Sequence, residues 1–164
     1  MLIEILKHTP RWVFVLFLVL VALGYSQSRD RTVSRRRAAV LPAVMIALSF
    51  SGMLSAFGAA PFGIACWVAG FAAAIAIGIR TGGPHGVKFS AETRTYSIPG
   101  SWVPLALMMA IFFTKYAVGV IQGRQLAISA EPLFIALVAF CYGIYSGLFA
   151  ARVIRVRRAM AHAV

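Results

Sequence analysis

Acidic side chains are almost missing from this chain: Glu4, Asp30, Glu92 and Glu131 are the only four in 164 residues. None lies deep inside an apolar run, so a proton-coupled cycle built on a buried carboxylate has no acid to use. Histidine is as scarce. His8, His85 and His162 all fall outside the apolar runs, which leaves a haem held between helices by paired imidazoles without ligands. The two cysteines, Cys66 and Cys141, sit in separate apolar runs with no CxxC and no Cys–His cluster, which argues against a disulfide, a zinc site or thiol-redox chemistry. With no buried acid, histidine or activated nucleophile, no catalytic constellation is visible, and the expectation is a non-enzymatic protein with no metal and no cofactor.

What the chain has instead is apolar length and positive charge. Hydrophobic residues make up 61% and charged ones 12% of the sequence, and the mean hydropathy is +0.87. An ordinary aqueous surface cannot be built from that composition, so the bilayer is the expected solvent. Sixteen Lys and Arg give a formal net charge of +12, which in a soluble protein would suggest nucleic acid. Here the cations lie between apolar runs rather than interleaved with exposed aromatics, so anionic lipid headgroups are the expected counter-charge and nucleic acid is not.

Five apolar runs are legible as membrane helices over about 11–27, 38–58, 64–79, 102–122 and 133–153, each near the length a bilayer requires. The first could pass for a secretory signal, but a basic cluster and another apolar run follow it instead of a cleavage site and a polar domain. Residues 1–10 have the mixed pattern of a short turn in the headgroup layer, and Pro10 opens the first helix. Trp12 and Tyr25 fall at its two ends, the depths at which amphipathic rings are favoured. Pro42 is expected in the first turn of the second helix, and Ala59-Ala60-Pro61-Phe62-Gly63 as a tight turn after it. Between the third and fourth helices, Val87–Ser90 and Thr95–Ile98 alternate around residues 91–94, so a small hairpin is predicted within 84–99. Ser101 is placed to cap the fourth helix and Pro104 lies in its first turn.

The connections after the first, third and fifth helices carry twelve Lys or Arg; the other side carries only Lys7, Arg11 and Arg124. By the positive-inside rule the amino terminus faces outward, and the carboxyl terminus and the hairpin are cytoplasmic. The sequence thus predicts an all-α polytopic bundle of five transmembrane helices forming one domain over 1–164.

Small residues recur every fourth position on four of these helices. Ser51 and Ser55 on the second, Gly70 and Gly78 on the third, Gly119 and Gly123 on the fourth, and Gly143 and Gly147 on the fifth are read as packing surfaces, with one left over for a homodimer. Lys115 interrupts the fourth apolar run, about seven residues or about 10 Å from its outer end at 1.5 Å per residue. Two readings compete there. Either the lysine stem snorkels to the outer headgroups, or the ammonium faces a cavity as a cationic binding point, with Tyr116, Tyr142 and Tyr145 as neutral neighbours. Mid-membrane tyrosines also have a plain use, since each hydroxyl needs a helix carbonyl to bond. Without an acidic partner, Lys115 favours an anion or a carbonyl ligand.

Taken together, His8-Thr9-Pro10-x-Trp12-Val13, Leu41-Pro42, Leu48-Ser49, Ser55-Ala56-Phe57-Gly58, Pro99-Gly100-Ser101-Trp102, Lys115-Tyr116, Tyr142-Gly143 and Ser146-Gly147 resemble a bacterial inner-membrane family, the domain of unknown function 6622. The resemblance spans nearly the whole chain. It implies a multi-pass membrane protein and no activity. With only Trp12, Trp67 and Trp102, the chain differs from the five-helix tryptophan-rich sensory proteins. The expected function is to bind or move a small solute, ion or lipid at Lys115; the alternative is an accessory membrane protein packed against a larger partner, with Lys115 snorkelling.

Overall fold

Pro10 supplies a fixed φ and no amide hydrogen, and the apolar run behind it winds into α1, Arg11–Gln27. In the computed structural model, which describes residues 10–33, 35–80, 88–90 and 95–162, four more helices follow. They are α2 (Arg35–Phe57), α3 (Pro61–Gly78), α4 (Val103–Gly123) and α5 (Pro132–His162). The turn in the headgroup layer expected before Pro10, and the positions of His85 and Glu92, lie outside the described residues. Four helices are long and apolar enough to cross a membrane, over Ala39–Phe57, Pro61–Gly78, Val103–Gly123 and Pro132–Arg158, while α1 is a shorter apolar helix. The fold is therefore all-α and compatible with membrane embedding.

Helix ends follow local chemistry. Gly58 stops α2 with φ +69, its amide donating to the Leu54 carbonyl at 2.8 Å, the left-handed terminus that glycine adopts without a Cβ penalty. Pro61 then opens α3 directly, so the turn between α2 and α3 is shorter than the sequence suggested. At the start of α4 the Ser101 hydroxyl accepts the Val103 amide at 3.3 Å. Two helices outrun their apolar cores. Arginine is a good helix former, so α2 starts at Arg35 and α5 continues through its basic run to His162. As a result Pro42 lies inside α2 rather than in its first turn.

The hairpin is present but incomplete as read. β2 (Lys88–Ser90) and β3 (Thr95–Ile98) pair antiparallel, and a third strand, β1 (Arg31–Val33) from the α1–α2 connection, pairs with the other edge of β3. Arg31 stands opposite Ile98, and Val33 opposite Tyr96. This small sheet, in the order β1-β3-β2, ties two connections together, α1–α2 and α3–α4, at one end of the bundle, called the sheet end below.

Within the bundle α5 is central. It lies closest to α3, because glycines on each helix meet backbone on the other: a Cβ on Gly70 would overlap the Phe140 carbonyl, and one on Gly143 the Trp67 carbonyl. On its next face α5 meets α2, where the Ser49 hydroxyl donates to the Tyr142 carbonyl at 2.7 Å. The core gathers there, with Met53, Met108, Ala139, Tyr142 and Phe149 fully enclosed. α1 packs chiefly on α4, with Phe17 and Phe112 ring centroids 5.4 Å apart and Gly24 against Leu105. The outside is as apolar as the inside: Leu18, Ile77 and Leu133 are each more than 60% exposed, a surface suited to lipid rather than water. Trp12 and Trp102, at opposite ends of the helices, are exposed as interfacial anchors would be.

Candidate functional site

α1 packs chiefly on α4, and the pair joins the common core through Leu20, Leu107, Met108 and Ile111 without filling the space beside α2. Polar bonds between described residues span the gap. The Gln122 amide donates to the Ala56 carbonyl at 2.6 Å, and the hydroxyls of Thr114 and Tyr145 lie 3.2 Å apart. Between α1, α2 and α4 a cleft of about 800 Å³ remains, inside the range of about 300–1,000 Å³ typical of small-molecule pockets. Leu16, Leu20, Met45, Leu48, Met108 and Ile111 make its apolar wall, and Lys115, Tyr116 and Arg124 its polar groups. No carboxylate lines it among the described residues. The electrostatics are accordingly one-signed: two cations and a phenol in an apolar trough, where a negative or carbonyl-bearing group is favoured and a cation is not.

Lys115 is exposed to this space. Its helix runs toward the end of the bundle away from the sheet, and the Cα–Cβ bond of a helical residue tilts toward the helix N-terminus. The lysine stem therefore starts out pointing inward along the cleft, away from the nearer helix end, which shortens its snorkelling reach. Tyr116 stacks on Phe112, centroids 6.3 Å apart and planes 6° apart, on the cleft wall that Lys115 also lines.

The other two predicted neighbours are elsewhere. Tyr142 is enclosed between α5 and α2, its ring 3.4 Å from the point a Gly52 Cβ would occupy, and its buried hydroxyl has no partner. Tyr145 turns toward Thr114 and meets Tyr142 edge-on at 6.5 Å. Neither lines the cleft. The structure thus brings Lys115 and Tyr116 together and sets Tyr142 and Tyr145 in the adjoining interface.

The small-residue stripes divide as well. Gly70 on α3 and Gly143 and Gly147 on α5 meet backbone of the opposing helix, and Gly78 meets the Ala151 methyl. Gly119 and Gly123 face the cleft, with nothing within 4 Å of an added Cβ. On α2 the packing face is out of step with the reading. Ser51 and Ser55 are exposed, bonding only to Leu48 and Gly52 of their own helix, while Ser49, Gly52 and Met53 are buried. The signal that could have separated them is the pairing of Ser49 with the Tyr142 carbonyl on α5, which no single-helix period contains. Also outside the sequence reading is a cluster of Gln27, Arg31 and Arg152 at the sheet end.

The sequence profile of the family of unknown function DUF6622 matches residues 1–163. The chain belongs to this family. No curated protein and no solved structure matches it. The DUF6622 match covers both the cleft and the sheet end.

Proposed function

We propose that this is a non-enzymatic protein of the bacterial inner membrane that binds a small anionic or carbonyl-bearing solute or lipid in the α1–α4 cleft, with Lys115 as the charged point and Tyr116 beside it. The observation that carries the reading is the opening of an apolar cleft onto Lys115. α1 serves as a fifth crossing, since its 17 residues reach the lower limit of a spanning helix, about 17–25 residues. Five crossings with the arginine-rich sheet end in the cytoplasm satisfy the positive-inside rule, placing the amino terminus outside. The cleft of a single chain is open on one side, so movement of a ligand across the membrane requires an assembly of two or more copies.

A second reading has an observation of its own. Gly119 and Gly123 form a bare small-residue face on which a helix of a second copy or of a larger partner fits, making the protein an accessory subunit. The two readings separate at Lys115→Met. Native mass spectrometry of protein released gently from its membrane should show a small-molecule adduct on the wild type and on Lys115→Arg, and none on Lys115→Met of equal helicity. An adduct unchanged in Lys115→Met, with a partner protein co-purifying in all three forms, would favour the accessory role and sink the first.

A further inference from the structure

The sheet end is held by bonds between residues far apart in the chain. The Ser101 amide donates to the Gln27 carbonyl at 2.9 Å, the Gly100 amide donates to Asp30 Oδ1 at 2.8 Å, and β1 pairs Arg31 with Ile98. Gly100 comes so close to the Ser28 carbonyl that a Cβ there would overlap it. α5 passes behind this knot, and Arg152 Nη1 donates to Ser101 Oγ at 3.3 Å.

Inside the knot is a recess of about 20 Å³ whose walls include Gln27, Arg31, Arg152 and Arg157 against Ile98 and Phe149. Arg31 and Arg152 are half-buried and Arg157 is exposed at the mouth. Burial holds the Arg31 guanidinium below its ordinary pKa. Placing two half-buried guanidiniums on one recess is costly unless an anion offsets them. Asp30, adjacent in sequence, directs an oxygen to Gly100 and does not line the recess. The space admits about one water-sized group, too little for a whole tetrahedral anion but enough for one of its oxygens.

We propose that Arg31 and Arg152, with Arg157 at the mouth, bind one phosphate group by taking a single phosphate oxygen into the recess. Guanidinium forks match phosphate oxygens in geometry and charge, and the Ser101 contact already orients Arg152. The phosphate is either the diester of a lipid headgroup or free inorganic phosphate; the cleft at Lys115 plays no part in it.

The test uses the full-length protein prepared without phosphate. One arm follows its thermal unfolding in detergent against inorganic phosphate, with chloride at matched ionic strength as control. The other counts retained lipids by native mass spectrometry after release from nanodiscs containing phosphatidylglycerol. Free phosphate as the ligand raises the unfolding temperature in the first arm; a lipid headgroup gives a retained adduct in the second. In either case Arg31→Gln and Arg152→Gln should weaken the effect by about tenfold or more, as the loss of a charge-assisted bond implies. Arg157→Gln should weaken it less, and Arg158→Gln, outside the recess, should not. If Arg152→Gln does not fold, Arg31→Gln and Arg157→Gln decide the question. No response in either arm, or equal responses in Arg31→Gln and Arg158→Gln, overturns the proposal. So does strong destabilisation by Glu92→Gln, since the pair would then be neutralised from within the chain.

Discussion

Two glycine pairs of the same spacing, Gly143-x-x-x-Gly147 on α5 and Gly119-x-x-x-Gly123 on α4, have opposite surroundings. The first is pressed against the backbone of α3 around Trp67 and Phe71; the second touches nothing. The cause lies on the opposing helix. Across from α5, α3 offers Gly70, Ala74 and Gly78, all buried, so both surfaces are flat and the backbones close together. Across the cleft from α4, α1 and α2 present Leu16, Leu20 and Met45, and α1 meets α4 through the Phe17 and Phe112 rings instead. A small-residue stripe closes only on another one, and the stripe that also carries Lys115 has none opposite it.

The largest effect that would break this contrast is at Gly143. A methyl group there meets the Trp67 carbonyl oxygen and the Phe71 amide nitrogen, neither of which can yield without moving α3. Gly143→Ala should destabilise the protein by about 2–3 kcal/mol, at the upper end of ordinary overpacking, as measured by unfolding in mixed micelles. A cost below about 0.5 kcal/mol, the range of unconstrained surface changes, would mean that α3 and α5 are not in backbone contact.

This contrast also marks where sequence reading stops. The five helices are legible because each is an apolar run bounded by Pro, Gly or Arg, and bilayer thickness fixes the length required. Lys115 is legible because a cation in such a run has few explanations. β1 is not, since three residues, Arg31–Val33, are too few to show an alternation and pair with a strand far along the chain. The out-of-step face of α2 escapes for a related reason. Ser51 and Ser55 have the right period, but Ser49 has the partner, a carbonyl on α5. The separation of Tyr142 from Lys115 likewise depends on which face of α5 meets α2, a property of two helices rather than one.

Next in size is the Ser49 bond that joins α2 to α5. Removing it in Ser49→Ala leaves only weaker acceptance by the Tyr142 carbonyl, and the expected loss is about 0.6–1.7 kcal/mol, as for other interhelical bonds in membranes. Tyr142→Phe in the same interface should go the other way. Its hydroxyl is buried without a partner, so deleting it should leave stability unchanged or raise it by about 1 kcal/mol. A loss of more than that from Tyr142→Phe would show that the hydroxyl is bonded in the membrane, and that the α2–α5 interface holds a polar site of its own.

The smallest effect on stability, and the one that sharpens the comparison most, belongs to Gly119 and Gly123. An added methyl meets nothing within 4 Å and replaces the less favourable helix former, so Gly119→Ala and Gly123→Ala should change unfolding by no more than about 1 kcal/mol, toward greater stability. Larger side chains then ask what the empty face is for. If it is the wall of a ligand cleft, Gly119→Leu narrows the trough beside Lys115 and abolishes the adduct seen by native mass spectrometry while the protein stays monodisperse. If it is a docking face for a second copy, the same substitution dissociates an oligomer, and cysteines at 119 and 123 cross-link the wild-type assembly in its membrane. Because α4 itself is unstrained in either case, a change in adduct or in mass, with unfolding unmoved, reports the use of the face and not the loss of the fold.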